Sequence, residues 1–114
     1  MARDDAVGCG LADSVGDVLA RVRQSRYPFA LVLSRSRVVL GRLPVSRCDG
    51  DADQPVEEVM DPGPSTVRPH KTAEGTAQDL AKRDLRWAIV TTADGELIGV
   101  ASRVDLEAAV REQE

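Results

Sequence analysis

Tyr27-Pro28-Phe29-Ala30-Leu31-Val32-Leu33 and Leu85-Arg86-Trp87-Ala88-Ile89-Val90-Thr91 fall over one another when the sequence is displaced by 58 positions. With no gap introduced, Val39-Leu40-Gly41 then lies over Leu97-Ile98-Gly99. Identities are few (Ala30/Ala88, Val32/Val90 and Gly41/Gly99), but the apolar pattern and the glycine that closes it are shared. Similarity at a fixed displacement reads as two copies of one supersecondary unit.

Working outward, each half places a helix ahead of the shared stretch. Ser14 caps a helix whose Val15, Val18, Leu19 and Val22 fall at i, i+3, i+4 and i+7, which is one apolar face. Thr72 stands at the equivalent position, followed by a similar stripe of Ala73, Ala77, Leu80 and Ala81. Glu74 near the start of that helix and Lys82 and Arg83 near its end suit the helix dipole. Phe29 to Leu33 and Trp87 to Thr92 are continuous β-prone runs, the pattern of strands covered on both faces. Asp94-Gly95 supplies a hairpin turn before Leu97 to Val100, and Ser34-Arg35-Ser36-Arg37 fills the same place without the glycine.

Beyond the second strand the halves diverge. Ser102 to Arg111 reads as a helix with Leu106, Ala109 and Val110 facing inward. Its counterpart begins near Pro44, is short, and runs out at Asp49-Gly50-Asp51-Ala52-Asp53. Asp61-Pro62-Gly63-Pro64 breaks the chain before the second half, and Val67, with Cys9 as its equivalent, forms a short opening strand. The expected fold is α+β, with one domain over residues 1–56 and another over 57–114.

Bulk properties narrow the function. The 114 residues are 42% apolar and 30% charged, the balance of a soluble globular protein. Aromatic residues make up only 3%, so the core must be built from Val, Leu, Ile and Ala. A net charge of −4 argues against general nucleic-acid binding, which needs a basic surface. The charge is uneven: 8 Lys/Arg face 7 Asp/Glu in residues 1–56, and 7 face 12 in residues 57–114. The longest apolar run, Phe29 to Leu33, is too short to cross a membrane, and Met1 to Asp5 lacks the features of a signal peptide. Cys9 and Cys48 are isolated and fit small buried apolar residues better than a disulfide. Together these features point to the cytoplasm, with neither nucleic acid nor membrane as partner.

Two successive copies of strand, helix, strand, strand, helix resemble a tandem pair of CBS (cystathionine β-synthase-type) domains, a Bateman module, over almost the entire chain. Val56 to Met60 is similar to the linker into such a domain, Thr66 to Pro69 to its opening strand, and Glu96 to Leu106 to its closing strand and helix. Within the last segment, Gly99, Ser102 and Asp105 match the family's Gly-x-x-Ser-x-x-Asp nucleotide-site pattern. The resemblance implies two domains packed sheet to sheet as one compact module, with clefts for AMP, ADP, ATP or S-adenosylmethionine and no required cofactor. It implies that Asp105 accepts from ribose hydroxyls and that Ser102, with free backbone N–H groups at the helix start, holds phosphate. Thr66 and Val67 would line the adenine and Ala88 would pack on the base, while Arg103 reaches phosphate or points to water. It also implies a flat homodimer formed through the helices, here around Val15, Val18, Leu106 and Val110.

Ser102 and Asp105 also fit a helix capping box, which needs no ligand, and one residue can serve both ends. The first half departs from the pattern: Pro44 stands at the place of Ser102 and Arg47 at that of Asp105. Proline has neither hydroxyl nor N–H, and arginine accepts nothing from a ribose. The first site is therefore expected to be degenerate, with Arg47 on an anion, on a carboxylate of another chain, or simply at the surface.

Other patterns lack supporting chemistry. Asp49-x-Asp51-x-Asp53 opens like a calcium loop, but Gln54 stands where glycine is required and Met60 where glutamate is, so a solvated linker is expected. His70 is the only histidine, so no imidazole cluster can form a metal site. Gly8-Cys9-Gly10 has no phosphate-loop context, and no Ser-His-Asp or Cys-His constellation can be assembled. The expectation is a non-catalytic regulatory module with one adenosyl-ligand site in the second half. The alternative is a ligand-free module for dimerisation or for docking an unidentified protein partner.

Overall fold

The computed structural model describes residues 2–112, and they divide into two units: Ala6–Pro64, and Ser65 onward together with the described residues up to Asp5. The first unit contains β1 (Gly8–Cys9), α1 (Val15–Val22), β2 (Phe29–Leu33), β3 (Val39–Pro44) and β4 (Asp61–Pro62), with sheet order β1-β2-β3-β4. The second contains β5 (Thr66–Val67), α2 (Ala73–Lys82), β6 (Trp87–Thr91), β7 (Leu97–Ser102) and α3 (Arg103–Glu112), with sheet order β5-β6-β7. In both, the opening strand runs parallel to the middle strand and the third strand antiparallel to it. The chain is thus α+β.

The repeat holds bond for bond. Cys9 pairs with Val32 as Val67 pairs with Val90, and Phe29 faces Pro44 as Trp87 faces Ser102. Both hairpins carry a bulge at the same step, between Val32 and Leu33 and between Val90 and Thr91. In the second hairpin Gly95 takes φ 91°, and in the first Arg37 takes φ 64° at the equivalent place without a glycine's freedom. A hydroxyl fixes each turn: Thr92 Oγ1 accepts from Glu96 N at 3.1 Å, and Ser34 Oγ from Val38 N at 3.1 Å.

Both helices start as their caps predict. Ser14 Oγ accepts from Asp17 N at 3.3 Å and Thr72 Oγ1 from Gly75 N at 3.0 Å. Val15, Val18 and Val22 of α1 are buried with Val32, Leu43 and Val56; Ala77 and Leu80 of α2 are buried with Ala88, Ala101 and Leu106. Leu19 is half-buried and Ala81 exposed, so each buried stripe is narrower than its spacing predicts.

After a 3-10 turn at Val45–Arg47, the acidic stretch crosses the start of α1. Ala52 O and Gln54 O accept from Gly16 N and Val15 N, each at 2.9 Å. The aspartates are exposed, as expected of a solvated linker, but its backbone carbonyls complete a helix end. Gly16 permits this approach, because a Cβ there would lie 2.8 Å from Ala52 Cβ.

The short stretch preceding each repeat lies on the sheet of the other repeat's unit. Asp61 pairs with Arg42 on β3, and Arg3 bridges Val100 on β7 through backbone hydrogen bonds of 2.9 and 2.8 Å. These partners explain the shared glycine. A Cβ on Gly99 would lie 2.8 Å from Arg3 O, and one on Gly41 would lie 2.9 Å from Asp61 O. The units therefore differ from the halves 1–56 and 57–114 at their edges: residues 57–64 stay with the first unit and residues up to Asp5 with the second.

Candidate functional site

The start of β5, the start of β6 and the end of β7 lie at one end of the second sheet, because β5 and β6 are parallel and β7 returns. Register brings the expected site residues there. Thr66 pairs with Ile89, Ala88 with Ala101, and Trp87 with Ser102, after which α3 begins and carries Arg103 and Asp105.

A cavity of about 110 Å³ joins part of this set. Thr66, Val67 and Ala88 line it together with Trp87, Asp79 of α2 and Arg83 just past the end of that helix. Ser102, Arg103 and Asp105 are not in its lining; they are organised around the start of α3. Ser102 Oγ accepts from Asp105 N at 3.0 Å, the capping geometry. That bond uses an oxygen lone pair and leaves the hydroxyl hydrogen available as a donor. Arg103 N donates to Arg86 O at 2.8 Å, so two backbone N–H groups of the first turn already have partners, against the expectation of free ones. The Arg103 side chain follows its own helix, with Nε donating to Glu107 Oε1 at 2.9 Å.

Trp87 was not among the residues expected at the site, yet it bridges the two groups. It lines the cavity and is the cross-strand neighbour of Ser102. Side chains of such a pair share a face, with Cβ atoms about 5 Å apart. The signal was present in the sequence: an aromatic residue, in a chain with few, at the start of the strand that leads to Ala88.

The equivalent place in the first unit carries an ion-pair cluster of its own side chains. Val45 N donates to Pro28 O at 2.9 Å, as Arg103 N does to Arg86 O. Arg47, at the place of Asp105, is paired with Asp61 at 2.8 Å, and Arg42 approaches the other carboxylate oxygen at 3.8 Å. The Arg42 guanidinium lies 5.8 Å from the Phe29 ring centre, and Phe29 is buried. Arg42 Nε is buried with no hydrogen-bond partner. Arg47 is thus committed to a carboxylate of its own chain.

Both cysteines are free thiols. Cys9 donates to Leu31 O at 3.6 Å, and burial, reinforced by the Asp13 carboxylate, pushes its pKa up to about 11. Cys48 donates to Pro44 O at 3.4 Å and is also raised by burial. No group of three metal-ligating side chains occurs among the described residues. None of their helices is long and apolar enough to cross a membrane.

The CBS domain family model matches residues 56–112, half of the chain. The chain belongs to the CBS domain family. No curated protein matches it. The fold is shared along its whole length with solved CBS pairs. The CBS domains of a transcriptional regulator from Streptococcus pneumoniae match with TM-score 0.84 at 21% identity, over 95% of this chain and 93% of that one. CBSX2, solved in complex with AMP, matches with TM-score 0.84 at 21% identity, over 100% and 94%. The CBS domain pair of MJ0100, solved with 5′-methylthioadenosine and S-adenosyl-L-methionine, matches with TM-score 0.80 at 9% identity, over 99% and 94%. At these identities the likeness establishes the CBS fold.

Proposed function

We propose that this CBS pair is a non-catalytic cytoplasmic regulatory module that binds one adenosine derivative per chain at its second repeat. AMP, ADP, ATP and S-adenosylmethionine are the candidate ligands. The observation that carries the reading is the cross-strand pair of Trp87 and Ser102. It connects the cavity of Thr66, Val67 and Ala88 to the helix start where Asp105 stands. An adenosyl group needs those two surroundings, a flat apolar wall for the base and a carboxylate to accept from the ribose hydroxyls. The first repeat offers no such acceptor, since Arg47 and Asp61 occupy one another, and this favours a single site. The AMP complex of CBSX2 and the S-adenosylmethionine complex of MJ0100 support the ligand class.

Trp87 is the only tryptophan, so its emission reports the site directly. One adenosyl compound is expected to change that emission saturably and to raise the melting temperature. Asp105→Ala should weaken its affinity about tenfold or more, the worth of a hydrogen bond to a charged group. Unchanged affinity in that variant removes the assignment.

Assembly into a homodimer is a second reading, favoured by a groove of about 320 Å³ between α2 and α3. Ala77, Ala81 and Val110 form its apolar part, and Glu74, Glu107 and Arg111 contribute charged side chains to the lining. Val15, Val18 and Leu106 are buried in the cores of their own units, so of the expected contact residues only Val110 belongs to this groove. Light scattering at micromolar concentration decides: a dimer that Ala81→Arg dissociates supports the reading, and a monomeric wild type ends it.

A further inference from the structure

The second repeat holds another cavity, of about 200 Å³, running from under α2 and α3 towards the opposite end of the sheet. Its inner wall is Val67, Val90, Ala101 and Leu106, and Ala2 lines one side. Val90 is three residues along β6 from Trp87, about 10 Å at the rise of a strand. The two cavities share Val67, Lys71 and Thr76, while Ala101 and Ile98 belong to this one and not to the adenosyl cavity.

The first repeat shows how the space arises. Displaced by 58 positions, Ala2, Ala73 and Ala101 correspond to Met60, Val15 and Leu43, and Thr76 to Val18. In the first unit those positions are filled: Val15 is 2% exposed, Val18 0% and Leu43 1%, with Met60 packed on the same core. The second repeat keeps the backbone and removes about eight non-hydrogen atoms from three positions, a truncation that ordinarily leaves a void. The charged positions change as well. Arg68 and Lys71 stand where the first repeat has Gly10 and Asp13, and no acidic side chain lines the cavity, although Lys71 Nζ is paired with Asp79 Oδ2 beside it. Arg68 is fixed through Nη1, which donates to Thr66 Oγ1 at 3.2 Å and to Thr91 Oγ1. A carboxylate needs only Nε and Nη2 of such a guanidinium.

We infer that this cavity is a second ligand site, for a small amphipathic anion: a short aliphatic chain ending in a carboxylate. The chain fills the space vacated by the missing side chains, and the carboxylate meets Arg68, whose partners on Thr66 and Thr91 are all neutral oxygens, while Lys71 is held by Asp79. The volume is below the roughly 300 Å³ at which pockets for drug-sized ligands begin, which limits the occupant to a small molecule.

Hexanoate is the probe and hexan-1-ol its uncharged match, followed by NMR of the full chain. Hexanoate should shift the Val67, Val90 and Ala101 amide signals saturably in the millimolar range, with hexanol at least about tenfold weaker. Ile98→Glu alters a residue that is 38% exposed, so the core is untouched, and should weaken hexanoate about tenfold by like charge. Ala101→Leu restores the residue of the first repeat and should abolish the shifts. If that variant fails to fold, Ile98→Glu decides alone. Equal binding of hexanoate and hexanol, shifts centred on Trp87 and Ser102, no saturable shift, or unchanged affinity in Ile98→Glu overturns the inference.

Discussion

Gly41 and Gly99 were legible as a repeated residue, and in the second half as part of a nucleotide-site pattern, but their structural reason lies elsewhere. Each lies under a backbone segment from elsewhere in the chain, Asp61 of β4 on one and the bridge residue Arg3 on the other. The partners stand 20 and 96 residues away, and no local pattern links them, so the close approach could not be read. Gly99→Ala would place a Cβ 2.8 Å from Arg3 O, a backbone atom, and should cost about 1–3 kcal/mol with faster amide exchange at Val100. Arg37→Gly should act in the opposite sense. The residue already holds φ 64°, and relieving that conformation should stabilise the chain by about 1 kcal/mol in denaturant unfolding. The Ser102–Asp105 spacing was legible because residues three apart at a helix start form a local unit. The role of Trp87 was not legible, because its relation to Ser102 is a matter of register across two strands.

At the scale of elements, the helix starts were legible from side chains alone. The fold-back at Ala52 and Gln54 was not, since capping by backbone carbonyls leaves no side-chain signature and a run of aspartates reads as solvent-facing. This difference separates two otherwise equivalent caps. Thr72→Ala removes the side-chain cap of α2 and should cost about 1 kcal/mol in thermal unfolding. Ser14→Ala should cost less, because the Ser14 bond to Asp17 N is longer, at 3.3 Å, and Gln54 O and Ala52 O hold the two preceding N–H groups of α1 in place without it. The same stretch takes the place along the first half that α3 holds in the second, which is why the repeats diverge after their third strands.

For the whole molecule, pH acts through a buried thiol. Cys9 is held protonated to about pH 11 in the folded chain against an ordinary value of 9.0. Between those values the folded state binds the extra proton, so stability should fall as pH rises through that range. Melting curves of Cys9→Ala should lose that part of the pH dependence. The bridge from Arg3 to β7 has a consequence for synthesis. Ala6–Pro64 contains every strand of its own sheet, so it can close while the rest of the chain is still being made. Arg3 cannot be placed so early, because Val100 is translated 97 residues later. Until then the second sheet lacks the residue that borders β7, and an unfinished sheet border recruits whatever strand is at hand. The described stretch made first is thus seated only after Val100 has been made, and until then the border of β7 is open to pairing with a neighbour's copy.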